Sequence, residues 1–94
     1  MPRYLVERTF PDGLEIATDD VGAKTCLDVV HNNAEEQVTW VTSYVSTDKT
    51  TTYCIYDGPS PDSIRRAAAA NGLPVDAVSE VRVLDPYFYI GAVA

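Results

Sequence analysis

The sequence has one histidine, two cysteines and half as many basic residues as acidic ones, and each scarcity excludes something. With His31 as the only imidazole, a Ser-His-Asp arrangement can be built only around that residue, and no Gly-x-Ser-x-Gly stands near it. Cys26 and Cys54 lack the CxxC spacing of redox and zinc motifs. Two cysteines make no disulfide framework, although a bridge between them stays open at this point. Seven basic residues against fourteen acidic ones leave a net charge of −7, which repels phosphate backbones and argues against nucleic acid as a partner. No charged-then-apolar leader opens the chain, and no apolar run approaches about 18 residues, so neither a signal peptide nor a membrane span is predicted. The expectation is a cytoplasmic protein with reduced thiols. A phosphate-cradling glycine loop is absent too: Gly58-Pro59-Ser60-Pro61 reads as a helix start.

What is present is one ordinary folding unit. Ninety-four residues with 46% hydrophobic content suit a single domain over 1–94 with one thin core. The centre of the chain, residues 38–57, reads as two strands joined by a turn at Thr47-Asp48-Lys49. Val38, Trp40, Val41, Tyr44, Val45, Tyr53, Ile55 and Tyr56 are strand formers, and Asp48 can accept a bond from its own backbone two residues on.

A first strand is predicted over 3–10, ended by Pro11-Asp12-Gly13. Leu14 and Ile16 are expected to seal one end of the core. Asp19 is a good N-cap for a helix from about Asp20 to Ala34, with Asp20 at its positive end. Ala23, Leu27, Val30 and Ala34 recur at helical spacing with Cys26 beside them, and Asn32-Asn33 is expected to fray the end. Ser60 as N-cap, Pro61 at N1 and Asp62 in the first turn begin a second helix over 61–71, with Ile64, Ala67, Ala68 and Asn71 on one side; Gly72 closes it in the left-handed C′ position. The last strand is predicted over 77–84, before Asp85-Pro86. An aromatic tail at 86–94, with Tyr87-Phe88-Tyr89-Ile90, is too apolar to be left in water.

Strand, helix, strand, strand, helix, strand is the order of the split βαβ, ferredoxin-like α+β fold: a four-stranded antiparallel sheet with both helices on one face. That leaves the other face bare. Reading the second strand as regular puts Trp40 and Tyr44 on one side and Val41 and Val45 on the other, apolar on both. A one-sided sheet would alternate more cleanly, so a second subunit is the expected cover, in a dimeric α/β-barrel-like association.

Three constellations could carry chemistry. Asp28, His31 and Glu35 fall at i, i+3, i+7 on one helical face and are suitable ligands for nickel, zinc or cobalt; the plain alternative is a solvated polar face. Cys26 and Cys54 read first as core residues, and as thiolate ligands or reactive thiols only in an electropositive or metal-bearing setting. Glu7 and Arg8 in the first strand and Glu80 and Arg82 in the last suggest cross-strand ion pairs, or a carboxylate such as Glu7 in a cavity between sheet and partner.

Several stretches carry a family resemblance: Val38-Thr-Trp-Val-Thr-Ser-Tyr-Val, Tyr53-Cys-Ile-Tyr-Asp-Gly-Pro-Ser-Pro, Ile64-Arg-Arg-Ala, Asn71-Gly-Leu-Pro-Val-Asp and Glu80-Val-Arg-Val-Leu-Asp-Pro-Tyr-Phe-Tyr. Over about residues 3–90 the chain resembles a family of small bacterial proteins of unknown function that includes a nickel-binding, nickel-responsive member with a dimeric ferredoxin-like fold. The resemblance implies a homodimer and binding of nickel or a similar divalent transition ion. Cys54 matches the family pattern. Thr42 departs from it, standing where many relatives carry histidine before the Ser-Tyr of the second strand.

Two functions follow as expectations. One is a metal-binding homodimer that sequesters nickel or a similar ion through His31, Asp28, Glu35 and Cys54. The other is a dimeric α/β-barrel enzyme or small-ligand binder with a pocket between sheet and partner, lined by Glu7, Trp40, Tyr44 and Tyr53.

Overall fold

A computed structural model describes residues 1–15 and 19–87. Six elements follow one another in the expected order: β1 (Arg3–Thr9), α1 (Asp20–Glu35), β2 (Thr39–Val45), β3 (Thr51–Asp57), α2 (Pro61–Ala70) and β4 (Ala77–Val81). The strands form one sheet in the order β2-β3-β1-β4, with every neighbouring pair antiparallel. This is the ferredoxin-like α+β arrangement. β4 stops at Val81 rather than Leu84. Ile16, expected to seal the core, and residues 88–94 of the aromatic tail, expected at an interface, lie outside the described residues. Tyr87, at the start of the aromatic tail, is exposed.

The local signals act as their chemistry demands. Asp19 accepts bonds from the backbone N–H groups of Val21 and Gly22 at the start of α1, and Ser60 accepts from Ser63 at the start of α2. In the hairpin turn the Asp48 carboxylate accepts from the Thr50 backbone N–H and from the Ser46 and Thr50 hydroxyls. Those bonds, the backbone one foremost, hold its pKa down at about 2.

Both helices end in the same way. Gly72 N–H donates to Ala69 and Leu73 N–H to Ala68 after α2; Gln37 N–H donates to Ala34 and Val38 N–H to Asn33 after α1. Each pair of bonds is a Schellman motif, which requires a left-handed residue at C′. Gly72 adopts φ 67° without strain, whereas Gln37 is forced to φ 60° with a side chain attached. Gln37→Gly should therefore raise stability by roughly 0.5–1 kcal/mol, the relief of left-handed strain less the extra unfolded-state entropy of glycine. It should appear as a higher urea midpoint at unchanged m.

Two sequence readings are corrected by side-chain placement. The inward face of α1 is Gly22, Cys26, Val29 and Asn33, one step from the predicted Ala23, Leu27, Val30 and Ala34; Leu27 is 52% exposed and Val30 45%. Asn33 decides the register. It is not frayed but buried, its Oδ1 accepting from Asn71 Nδ2 at 2.9 Å, while Asn32 Nδ2 donates to Asn71 Oδ1 at 2.9 Å. Three amides thus tie the end of α1 to the end of α2. The second correction is in β2. A bulge between Trp40 and Thr42 inserts Val41 as an extra residue, so Trp40 pairs with Tyr56 and Tyr44 with Tyr53. Trp40, Ser43 and Val45 then face the helices, and Thr42 and Tyr44 face away.

The core lies between sheet and helices. Tyr4, Val6, Val38, Cys54 and Tyr56 meet Ile64 and Ala67 of α2, with Trp40, Val75 and Val78 at the margin.

Candidate functional site

Asp28, His31 and Glu35 all lie on the exposed side of α1. Asp28 is paired loosely with Lys24, one turn earlier, at 3.7 Å. Cys54 is buried on the inner face of β3, beneath the helix, with its thiol 3.8 Å from the Thr52 hydroxyl. Among the described residues no three histidine, cysteine, aspartate or glutamate side chains come together as a group that could hold a metal ion. The donor types on α1 suit nickel, but one chain's described residues do not supply enough of them at one point to enclose it.

The expected cross-strand pairs are replaced by others. The register sets Glu7 opposite Ala77 and Glu80 opposite Tyr4, and Arg82 lies beyond the end of β4. The pair that does form is Arg3 with Asp57, across β1 and β3, with two bonds of 2.7 and 3.1 Å. The bond from Arg3 draws the Asp57 carboxyl below its usual range, with the cation's charge adding to it. A shallow hollow of about 520 Å³ opens beside this pair, between Met1 and Val83. It is open to solvent and Arg3 and Asp57 answer each other, so it offers little to a ligand.

Three of the four residues expected in a pocket on the sheet do share its outer face. Glu7 stands opposite Tyr53 on β1 and β3, and Tyr53 opposite Tyr44 on β3 and β2. Tyr44 is 66% exposed, Tyr53 and Val41 are also exposed, and Leu5 and Ile55 are half-buried. Trp40 does not join them, because the bulge sends it to the other side.

Among the described residues of the single chain, an apolar cavity partly open to solvent lies on that other side, between the sheet and α1. It has a volume of about 240 Å³. Phe10, Leu14, Val29, Trp40, Val45 and Leu73 give it apolar walls, and both cysteines line it, Cys26 from α1 and Cys54 from β3. Both thiols are free. Trp40 Nε1 is spent on Ser43 Oγ at 2.7 Å, so the indole presents an apolar surface. One permanent cation forms part of the wall: Arg8, 3% exposed.

The surroundings of Arg8 are unusual for a buried guanidinium. One terminal nitrogen donates to Tyr56 Oη at 3.2 Å, and Cζ lies 5.5 Å from the centroid of the Tyr56 ring. Among the described residues it has no ion pair, and its Nε has no hydrogen-bond partner. Burial pushes the Tyr56 phenol up to about 12, an effect that the charge of Arg8 partly opposes. Sequence reading missed Arg8 as a site residue. The signal was its parity: Arg8 follows Tyr4 and Val6 at spacing two, which puts it on the covered face.

Fold and site together define a small ferredoxin-like domain with an apolar cavity under its first helix. The chain belongs to the SCO4226-like family, described as nickel responsive protein SCO4226-like, whose pattern matches residues 4–81. Among solved structures it is similar to the crystal structure of SCO4226 from Streptomyces coelicolor A3(2), with 19% sequence identity and a TM-score of 0.70 over 88% of this chain and 99% of that one. At that identity the likeness shows the fold. No curated protein matches the sequence. No helix among the described residues is long and apolar enough to cross a membrane.

Proposed function

We propose that this protein is a non-catalytic, nickel-responsive homodimer of the cytoplasm that binds nickel or a similar divalent transition ion. The observation that carries the reading is membership, over residues 4–81, of a family described as nickel responsive. His31 is the principal ligand, as the only imidazole and an exposed one. Asp28 and Glu35, one turn to either side, share the ion or orient the ring, and water or a partner subunit completes the shell. A net charge of −7 raises the local concentration of cations. The outer sheet face, with Tyr44, Tyr53 and Val41 exposed, is the surface the dimer covers.

Native mass spectrometry with and without added nickel reports subunit and metal count together, and calorimetry on variants assigns the ligand. The expected result is a dimer whose nickel affinity drops at least about tenfold in His31→Ala and weakens in acid, because a protonated imidazole cannot coordinate. Unchanged binding in His31→Ala removes the helix site. Loss of binding in Cys54→Ala alone moves the metal to the buried thiols.

A further inference from the structure

We propose that the cavity under α1 is a binding site for a small apolar monocarboxylate, whose head group is received by Arg8 and whose hydrocarbon body fills the space between Trp40 and Val29. This inference is independent of the nickel reading. It starts from an imbalance of charge. Arginine stays ionised in proteins, and a buried ion without a counter-charge is expensive. Arg8 is 97% removed from solvent by its 3% exposure, has no carboxylate partner among the described residues, and keeps a free Nε–H.

Water does not resolve the imbalance on the α2 side. The gap that Arg8 borders there, with Asn33, Ile64 and Ala67, has no room for a water-sized sphere, and Asn33 Nδ2 is a second unpartnered donor at its edge. The cavity on the α1 side is the space beside Arg8 that can admit an acceptor. Glu15, on the cavity wall, is exposed and forms no ion pair with Arg8.

Size and lining define the ligand class. An apolar protein cavity of about 150 Å³ accepts benzene, so 240 Å³ accommodates a ring or a short chain with a head group. Apart from Arg8 and the exposed Glu15, the surface of the cavity is chiefly apolar, and the hydroxyls that border it, those of Thr25, Ser43, Thr52 and Tyr56, are each already in a hydrogen bond, which favours one charge and no further polar substituents. A carboxylate on a guanidinium forms charge-assisted bonds that a neutral hydroxyl cannot equal. The negative net charge does not forbid this, since surface charges beyond about 8 Å are screened at physiological salt while Arg8 acts at contact.

Trp40 is the only tryptophan and lines the cavity, so its emission is a direct reporter. The full-length protein is titrated with hexanoate and, as a neutral counterpart of the same length, hexanol. Saturable changes are expected, with hexanoate bound at least about tenfold more tightly. Arg8→Met should remove most of that preference and leave hexanol affinity within about threefold; a buried cation exchanged for an apolar chain of similar volume is often tolerated. Val29→Phe, which fills the cavity from α1, should abolish both responses. Equal affinity for hexanoate and hexanol, no saturable response to either, or hexanoate binding that survives Val29→Phe would each overturn the assignment. The comparison on the wild type and Val29→Phe decides the matter even if Arg8→Met does not fold.

Discussion

Ile64→Ala should destabilise the protein by about 2–3 kcal/mol and lower its melting temperature by roughly 10–20 °C. Ile64 is 2% exposed and is the point at which α2 enters the core, against Tyr4, Val6, Val38 and Tyr56. Its Cδ1 fills the niche above Gly58: a Cβ built there would lie 3.0 Å from that atom and 3.3 Å from Val38 Cγ2. Truncation removes three buried carbons and leaves a void. Such losses span about 2–5 kcal/mol, and the lower part of the range is expected here for a specific reason. The gap beside Ile64 is bordered by Asn33, whose Nδ2 has no partner among the described residues. Enlarging it lets water reach that donor and recovers part of the cost. A cycle with Gly58→Ala makes the packing argument measurable. Alone, Gly58→Ala forces Ile64 or Val38 to move and should destabilise; in the Ile64→Ala background the added methyl enters vacated space and should cost less or even stabilise. Strict additivity in chemical denaturation would show that the two residues are not in contact.

How much of this was legible in the chain depended on whether the governing signal was local. Asp19, Ser60-Pro61, Gly72 and Asp48 act within three or four residues of themselves, and each does what its chemistry predicts. Element order followed, and with it the sheet topology. The misses share a different cause. The inward face of α1 is set by Gly22 and Asn33, neither of which counts as hydrophobic. Gly22 is small enough to lie close, and Asn33 is held by a bond to Asn71, 38 residues away in sequence. The more apolar stripe of Leu27 and Val30, which periodicity prefers, faces out.

The same holds for the site. The bulge at Val41 is one extra residue with no proline or glycine to announce it, and it moves Trp40 from the outer face to the cavity. A histidine and two carboxylates at helical spacing are conspicuous in sequence, and the structure leaves them on the exposed side of α1. An arginine in a strand reads as a surface residue unless its parity with Tyr4 and Val6 is followed. The residues that line the cavity come from β1, α1, β2, β3 and the segments around them, and only the assembled fold brings them together.

Above pH 10 the protein should lose stability steeply, by roughly 1.4 kcal/mol per pH unit, with Tyr56 as the cause. Burial keeps its phenol protonated up to about 12 in the folded state, against an ordinary value of 10.0. The folded pKa is thus raised. The associated stability is fully present below pH 10, where both states hold the proton. It is lost as pH rises from 10 to 12, because the unfolded chain gives up a proton that the folded chain retains. The total is about 2–3 kcal/mol, enough to matter to a domain whose whole stability is of order 5–15 kcal/mol. Tyr56→Phe separates this effect from the titration of the other tyrosines and lysines. It removes the ionisable group, but it also leaves the Arg8 terminal nitrogen without its acceptor, so at pH 8 it should be less stable than wild type by about 1–2 kcal/mol. Between pH 10 and 12 the wild type should descend faster, and the two curves should converge and then cross. A gap that stays constant across that interval, measured by urea unfolding at each pH, would mean that the Tyr56 phenol ionises equally well in both states and that the pocket around Arg8 is wetter than its burial indicates.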